Sequence, residues 1–285
     1  MQLQGVREGR QWRCICPVHG GRSLMVANGR KGTVFFCQGD ADCSFTDIIA
    51  ALRDLGISTS ADAYVETDTN DDAERRQREI ETTRRLLLRT GPADRTIVET
   101  YLRSRGITLP VPRALRFMRF CPHRCGQSFP AMVVPVRDVD GEVAGYHATF
   151  LKPDGSGKYP FSDPAMQREC RGVIGGGAVR QARYNPEVDL VVGEGIETVL
   201  SCMQLFNLPG WAALSATGLA ALQLPSRIRR IAIAIDNDEN GAGQAAALSA
   251  FLRWKHENRS VQLLMPPAIG DDFNNVLIEK TCGDG

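Results

Sequence analysis

Residues 189–206, DLVVGEGIETVLSCMQLF, change periodicity partway along. Leu190 to Val192 make a short apolar run that closes on Gly193-Glu194-Gly195, and from Ile196 onward apolar residues recur at helical spacing. The reading is a buried strand, a tight turn and a helix. Downstream, WAALSA (211–216) reads as a strand, IRRIAIAID (228–236) as a buried strand, GAGQAAALSAFLRWKH (241–256) as a helix and VQLLMP (261–266) as a further strand. Strands alternating with helices of about a dozen residues imply a parallel α/β sheet over 188–285.

In an open parallel sheet, chemistry sits at the carboxyl ends of the strands. Two strands here end in acids: Glu194 at one tip, and Asp236 and Asp238 just past another. Convergent carboxylates make a hard-oxygen site, and Mg²⁺ takes one or two of them and completes its shell with water and phosphate oxygens. Two such ions about 3.5–4 Å apart activate a hydroxyl and stabilise a leaving group; Glu194 can alternatively serve as a general acid or base. Glu197, one turn into the helix, either orients a metal-bound water or stabilises the helix dipole. Asp271-Asp272-Phe273-Asn274-Asn275 follows the last strand and offers Asp272 as an outer metal ligand. Gly155-Ser-Gly-Lys158 only approaches a phosphate-binding loop, and no Gly-x-Ser-x-Gly elbow exists, so neither a helicase motor nor a serine hydrolase is expected.

The chain has 285 residues, 43% hydrophobic and 24% charged, which excludes collagenous and wholly disordered classes. No run approaches the ~20 apolar residues of a membrane span, and MQLQGVREGRQWRC lacks the apolar core of a signal peptide. A soluble, cytoplasmic protein without a membrane partner is expected. The net charge of +1 conceals blocks: +2 over 1–57, −4 over 58–80, +7 over 81–187 and −4 over 188–285. A basic middle beside an acidic end is what a polyanion-binding surface next to a cation site looks like, although ordinary solvated surface gives the same tally. The polar, acidic stretch 58–80 reads as a linker, with a charged helix taking over at Glu74. In 81–187, VETYLRSRGI (98–107) reads as a helix, residues 131–151 as a hairpin turning at Asp140-Gly141, and Lys152 to Lys158 as a Gly-rich turn, a mixed α+β subdomain.

Nine cysteines, an odd number, favour metal ligation or free thiols over a disulfide framework. Cys16-Pro-Val-His19 is a ligand pair, and Cys37 and Cys43 follow the strand-like GTVFF. Four such ligands on two loops make a closed tetrahedral site whose zinc is structural. Cys14 competes with Cys16, which is better placed because Pro17 and His19 complete the knuckle. The unit closes with SFTDIIAALRDLG (44–56), where Ile48, Ile49, Leu52 and Leu55 share a helical face before Gly56. Cys121-Pro-His123-Arg-Cys125 has no second ligand pair nearby and reads as a packed turn.

Together these motifs resemble the DnaG-type primases, specifically the short phage and plasmid members that join an N-terminal zinc-binding domain to a Toprim domain. The Cys-Pro-Val-His, Phe-Cys and Cys elements are similar to the primase zinc ribbon, Glu194-Gly-Ile-Glu-Thr and Asp236-Asn-Asp238 to the Toprim acids, and Gly-Asp-Asp272-Phe-Asn274 to the later acidic motif. Two departures stand out: the Cys37–Cys43 gap is longer than usual, and Asn274 occupies a position where larger primases tend to carry an aspartate. The resemblance implies four parts: a zinc-binding domain (1–57), a linker (58–80), a basic α+β subdomain (81–187) and a Toprim catalytic domain (188–285). It also implies synthesis of short RNA primers on single-stranded DNA from ribonucleoside triphosphates, with Mg²⁺ or Mn²⁺ on Glu194, Asp236 and Asp238, and a separately encoded helicase as partner. Arg113, Arg116, Arg119, Arg124, His147, Lys152 and Lys158 are then the expected contacts to template and nucleotide, with Trp12 available to stack a base. Toprim alone is shared with nucleases, and a zinc-dependent DNA-binding or helicase-loading accessory is the non-catalytic alternative.

Overall fold

The computed structural model describes residues 3–8, 11–29, 32–37, 43, 45–57, 69–237 and 241–283. The chain divides into two compact units, Met1–Arg75 and Arg76–Gly285. In the first, β1 (Val6–Glu8), β2 (Gln11–Cys14), β3 (Leu24–Gly29) and β4 (Gly32–Cys37) form an antiparallel meander in chain order. Helix α1 (Phe45–Asp54) places Ile48 and Leu52 against Cys14, Cys16 and Leu24. Among the described residues, five buried side chains make up its core cluster, too little apolar surface to hold such a unit without a cross-link or metal. Thr69–Leu88 is a single helix, α2, so the later part of the acidic stretch is helical; residues 58–68 lie outside those described.

The second unit opens with an antiparallel sheet of β5 (Gly91–Pro92), β6 (Arg116–Pro122), β7 (Ser128–Arg137), β8 (Val143–Phe150) and β9 (Arg168–Gly172), ordered as in the chain, with α3 (Ile97–Ser104) between β5 and β6. Strand β7 is buried on both faces, which is why its sequence is almost continuously apolar. Met132, Val134 and Val136 face a core shared with α3, whereas Ala131 and Val133 face Tyr146 and Phe150. The expected hairpin is present, and Gly141 at φ +94° makes its turn.

The second sheet consists of β10 (Val179–Arg180), β11 (Leu190–Gly193), β12 (Gly210–Ala212), β13 (Arg230–Ala234) and β14 (Ser260–Leu264) in the order β10-β12-β11-β13-β14. All neighbours are parallel except the edge strand β10. Helices α4 (Ile196–Phe206), α5 (Ala216–Ala221), α6 (Ala242–His256) and α7 (Phe273–Gly283) cover it. Leu190, Val192, Ile231 and Ile233 pack on the face that includes Trp254 of α6, while Val191, Ala232 and Ala234 meet Cys202 of α4 and Phe273 of α7. The α/β reading is thus correct in architecture. The strand expected over 211–216 begins at Gly210 and stops at Ala212, because Ser215 caps α5 by accepting a hydrogen bond from Gly218 N at 3.0 Å. Sequence periodicity did not reveal the two-residue β10 or the six-residue α5, both too short to show a period. Among the described residues no helix is long and apolar enough to cross a membrane.

Helix α4 approaches the sheet closely. A Cβ on Gly210 would lie 2.4 Å from Val199 Cγ1, and one on Gly193 would lie 3.1 Å from Val199 Cγ2. Gly210→Ala should therefore overpack this seam and cost about 1–3 kcal/mol, read as a lower urea midpoint at unchanged m. An unchanged midpoint would mean that α4 can retreat without loss.

Candidate functional site

In the N-terminal unit, the turn after β2 is closed by Cys16 N donating to Gly21 O at 2.7 Å and Gly20 N donating to Cys16 O at 2.8 Å. Gly21 has to be small, since a Cβ there would lie 2.7 Å from the His19 ring. This knuckle and the end of β4 bring Cys16, His19, Cys37 and Cys43 together, with one ligand atom from each within 4.8 Å of the others. Cys16 Sγ and Cys43 Sγ are 3.9 Å apart, and His19 Nε2 is 3.1 Å from Cys37 Sγ. Two sulfurs held about 2.3 Å from one tetrahedral ion are about 3.8 Å apart, so the spacing fits zinc. Burial first, and then the Cys16 and Cys37 sulfurs, push the Cys43 thiol up to about 12. A divalent cation relieves such crowding by displacing the protons. Cys14 packs in the same small core as Cys16 but is not a member of this set.

In the second unit, Gly193 of β11 is in register with Ala234 of β13, so Glu194 and Asp236 project from neighbouring strand tips. Thr198 Oγ1, in the first turn of α4, reaches Asp236 Oδ1 at 3.5 Å. The loop after β14 joins the same end: Asn237 N donates to Asp271 O, and Asp272 Oδ1 accepts from Asn275 N at 2.8 Å to cap α7. Burial, followed by the charges of Asp236 and Asp272, pushes the Cys202 thiol of α4 up. Asp238 lies outside the described residues. Among those described, the Cys/His set is the one group of three or more side chains gathered at metal-ligand separation. Glu194, Asp236 and Asp272 share an end of the sheet more loosely, an arrangement suited to an ion that takes one or two carboxylates and otherwise water or phosphate. Asn274 is fully buried and donates to Arg105 O and Ser201 Oγ, a tie between α7, α4 and the end of α3.

Glu197 does not join the strand-tip acids. It is buried, accepts from the Tyr101 hydroxyl at 2.5 Å and pairs with Lys158 Nζ at 3.2 Å. Burial is the largest influence and would raise its carboxyl, but Lys158 and then Tyr101 outweigh it and hold the group down to about 2. Lys158 is therefore anchored at the end of the Gly-rich turn by a carboxylate thirty-nine positions away. His147 is buried in β8, and burial pushes it down to about 4, so the expected surface cation is a neutral imidazole inside the protein. Arg116 turns inward onto Thr90, with Nε to Oγ1 at 2.5 Å and Nη2 to O at 2.7 Å. Arg124 donates to Ala165 O at 2.8 Å, and Lys152 begins the turn with its N–H donating to Gly157 O at 2.9 Å. Arg113 and Arg119 are exposed. Arg119 lies 5.4 Å from the ring centroid of Phe120, itself 62% exposed, a cation and aromatic pair on β6 that sequence patterning did not single out. Trp12 is 47% exposed on β2. His123 stacks on Phe161 and bonds Met166 O at 3.1 Å, so the Cys121–Cys125 segment is a packed turn as expected.

Two outcomes follow from these sites. Purified full-length protein should carry about one zinc per chain by elemental analysis, and Cys43→Ser should lower that content and expose residues 1–57 to protease; undiminished zinc would place the ion elsewhere. Glu197→Gln keeps a partner for Tyr101 but strands Lys158, and should cost about 3 kcal/mol at neutral pH. Because the folded carboxyl titrates below its unfolded value of about 4.3, this stabilisation is complete above that value and is lost as the pH falls toward 2. The gap between wild type and Glu197→Gln in thermal unfolding should accordingly close over that window, and a gap that persists at pH 2 would refute the pairing.

Residues 77–181 match the family model described as a domain of unknown function, DUF7146, and residues 189–282 match the model described as the Toprim domain. Among solved structures the chain is similar to the zinc-binding and RNA polymerase domains of the Aquifex aeolicus primase, at 17% identity over 99% of this chain and 79% of that one, with a TM-score of 0.47. It is similar to a DnaG primase catalytic domain bound to single-stranded DNA, at 16% identity over 73% and 79% of the two chains, TM-score 0.48. It is similar too to the primase fragment of the bacteriophage T7 primase-helicase protein, at 15% identity over 69% and 71%, TM-score 0.42. No curated protein matches the sequence. The parallel strands β11 to β14, with Glu194 at the tip of the first, lie within the residues that match the Toprim domain model.

Proposed function

We propose that this protein is a DNA primase that condenses ribonucleotides into short RNA primers on single-stranded DNA by metal-dependent nucleotidyl transfer. The carrying observation is a Toprim domain with Glu194 and Asp236 on adjacent strand tips, in one chain with a Cys/His set of zinc geometry. Toprim by itself supports phosphodiester chemistry in general, and the zinc unit in front is what favours a primase over a nuclease.

In this reading Glu194, Asp236 and Asp238, with Asp272 outside them, hold Mg²⁺ or Mn²⁺. When bound, such ions lower the pKa of a 3′-hydroxyl and neutralise charge on the phosphates. The protein's own residues orient the reactants. Glu197 and Tyr101 fix the Lys158 ammonium at the Gly-rich turn, where it meets a phosphate without having to be ordered first. Arg119 and Phe120 supply a cation and a ring face for a single strand, and Trp12 supplies a stacking surface on the zinc unit. The zinc holds its unit in shape and takes no part in the reaction. A separately encoded helicase is the expected partner.

Zinc-replete protein incubated with single-stranded circles, Mg²⁺ and labelled ribonucleotides should yield short RNA. Asp236→Asn should reduce the yield on the order of 100-fold, at or beyond the upper end of what loss of an outer-sphere metal partner costs. Degradation of labelled DNA without nucleotides would make the protein a nuclease. Full DNA binding with no synthesis, unaltered by Asp236→Asn, would leave a zinc-dependent accessory.

A further inference from the structure

A second charged site lies at the other end of the parallel sheet. Strand β10 runs antiparallel to β12, with Arg180 opposite Trp211, so the chain after Arg180 leaves the sheet at the end opposite Glu194. There a cavity of about 730 Å³ is lined by Arg113, Arg137, Arg180, Arg183 and Arg227. Its size suits a small ligand. These arginines come from four separate segments, and Arg227 precedes β13 at the amino end of that strand.

Among the described residues, none of the five makes an ion pair, whereas Arg230 nearby is bonded to Asp189 at 2.8 Å. Arg180 lies over the Trp211 ring at 4.3 Å and donates through Nη2 to the carbonyls of Asp138 and Val139, while its buried Nε has no partner. Arg137 donates to Gly141 O at 2.7 Å. Gly141 sits at φ +94°, a conformation that favours glycine, and a Cβ there would lie 3.1 Å from Arg180 Nη1. Burial, and then the charges of Arg137 and Arg227, lower the proton affinity of Arg180; Asp138 and Asp140 oppose this. Like charges crowded into a partly desolvated hollow destabilise the fold unless an anion enters, and guanidiniums with donors to spare bind phosphate oxygens in pairs.

We infer that this cavity binds a compact polyphosphate, such as the phosphate chain of a nucleoside triphosphate or inorganic tripolyphosphate. A hollow that concentrates five cations suits several charges on one short group better than a strand backbone, whose charges are spread along an extended line. Trp211 is covered by Arg180, leaving Tyr184 on the rim as the ring that a base would meet. The site is separate from the strand-tip acids, and its occupancy does not depend on primer synthesis.

The test is calorimetric titration of the zinc-replete chain in buffer free of chelator and of added Mg²⁺ or Mn²⁺, at about 0.1 M salt, where screening beyond about 10 Å removes diffuse attraction. The titrants are inorganic tripolyphosphate, ATP, adenosine and an oligonucleotide without a terminal phosphate. Tripolyphosphate and ATP should bind and raise the melting temperature. The double variant Arg183→Gln/Arg227→Gln, altered at two exposed side chains, should melt unchanged without ligand and bind at least about 10-fold more weakly, as loss of charge-assisted hydrogen bonds requires. Asp236→Asn should bind as wild type does. Equal affinity for tripolyphosphate and ATP assigns recognition to phosphate alone, and tighter ATP adds a base contact at Tyr184; both support the site. No binding at about 1 mM, binding undiminished in the double variant, or binding of adenosine or the oligonucleotide that the variant weakens equally would each overturn it.

Discussion

The seam between α4 and the parallel sheet is the contact on which the second unit depends. Gly193 and Gly210 remove side chains where Val199 descends, and Ala232 and Ala234 keep the neighbouring strand flat beneath the same helix. The core around α4 continues into that of the antiparallel sheet, where Ile196 and Leu200 share a cluster with Met132, Val134 and Tyr101. One helix therefore sets the position of both sheets, and its first turn holds Glu197 and Thr198, which reach Lys158 and Asp236. Close packing of this kind transmits position because interiors have little free volume to absorb a shift.

Charge in the second unit is sorted by depth and by end. Glu197 is ionised inside the protein because Lys158 and a hydroxyl compensate it, while His147, only partly compensated, is held neutral. At the carboxyl ends of the strands, Glu194, Asp236 and Asp272 remain spread out; at the opposite end, five arginines line one hollow, and among the described residues none of them makes an ion pair. An arrangement with negative groups at one end and positive groups at the other lets the domain meet cations and anions without mutual neutralisation.

The N-terminal unit follows a different logic. Its apolar core is small, and its stability leans on the convergence of three cysteines and a histidine from a knuckle, a strand end and the residue Cys43 beyond it. Here the structural claim and the metal claim are one, because ligands that converge at 3–4 Å separations without an ion would leave thiols crowded against each other.

Much of this was legible along the chain. The strand and helix over 190–206, the hairpin turning at Gly141 and the ligand spacing Cys16–His19 are local patterns, and local patterns survive folding because turn chemistry and side-chain period are set by neighbours in sequence. The sequence alone also located Glu194 and Asp236 at strand ends. It did not show that Glu197 belongs with Tyr101, ninety-six positions away, that His147 is interior and Arg116 turned inward, or that five scattered arginines share one hollow. Those outcomes rest on which faces of two sheets meet, and the desolvation and charge that set each group's state come from residues remote in sequence, so tertiary structure alone decided them.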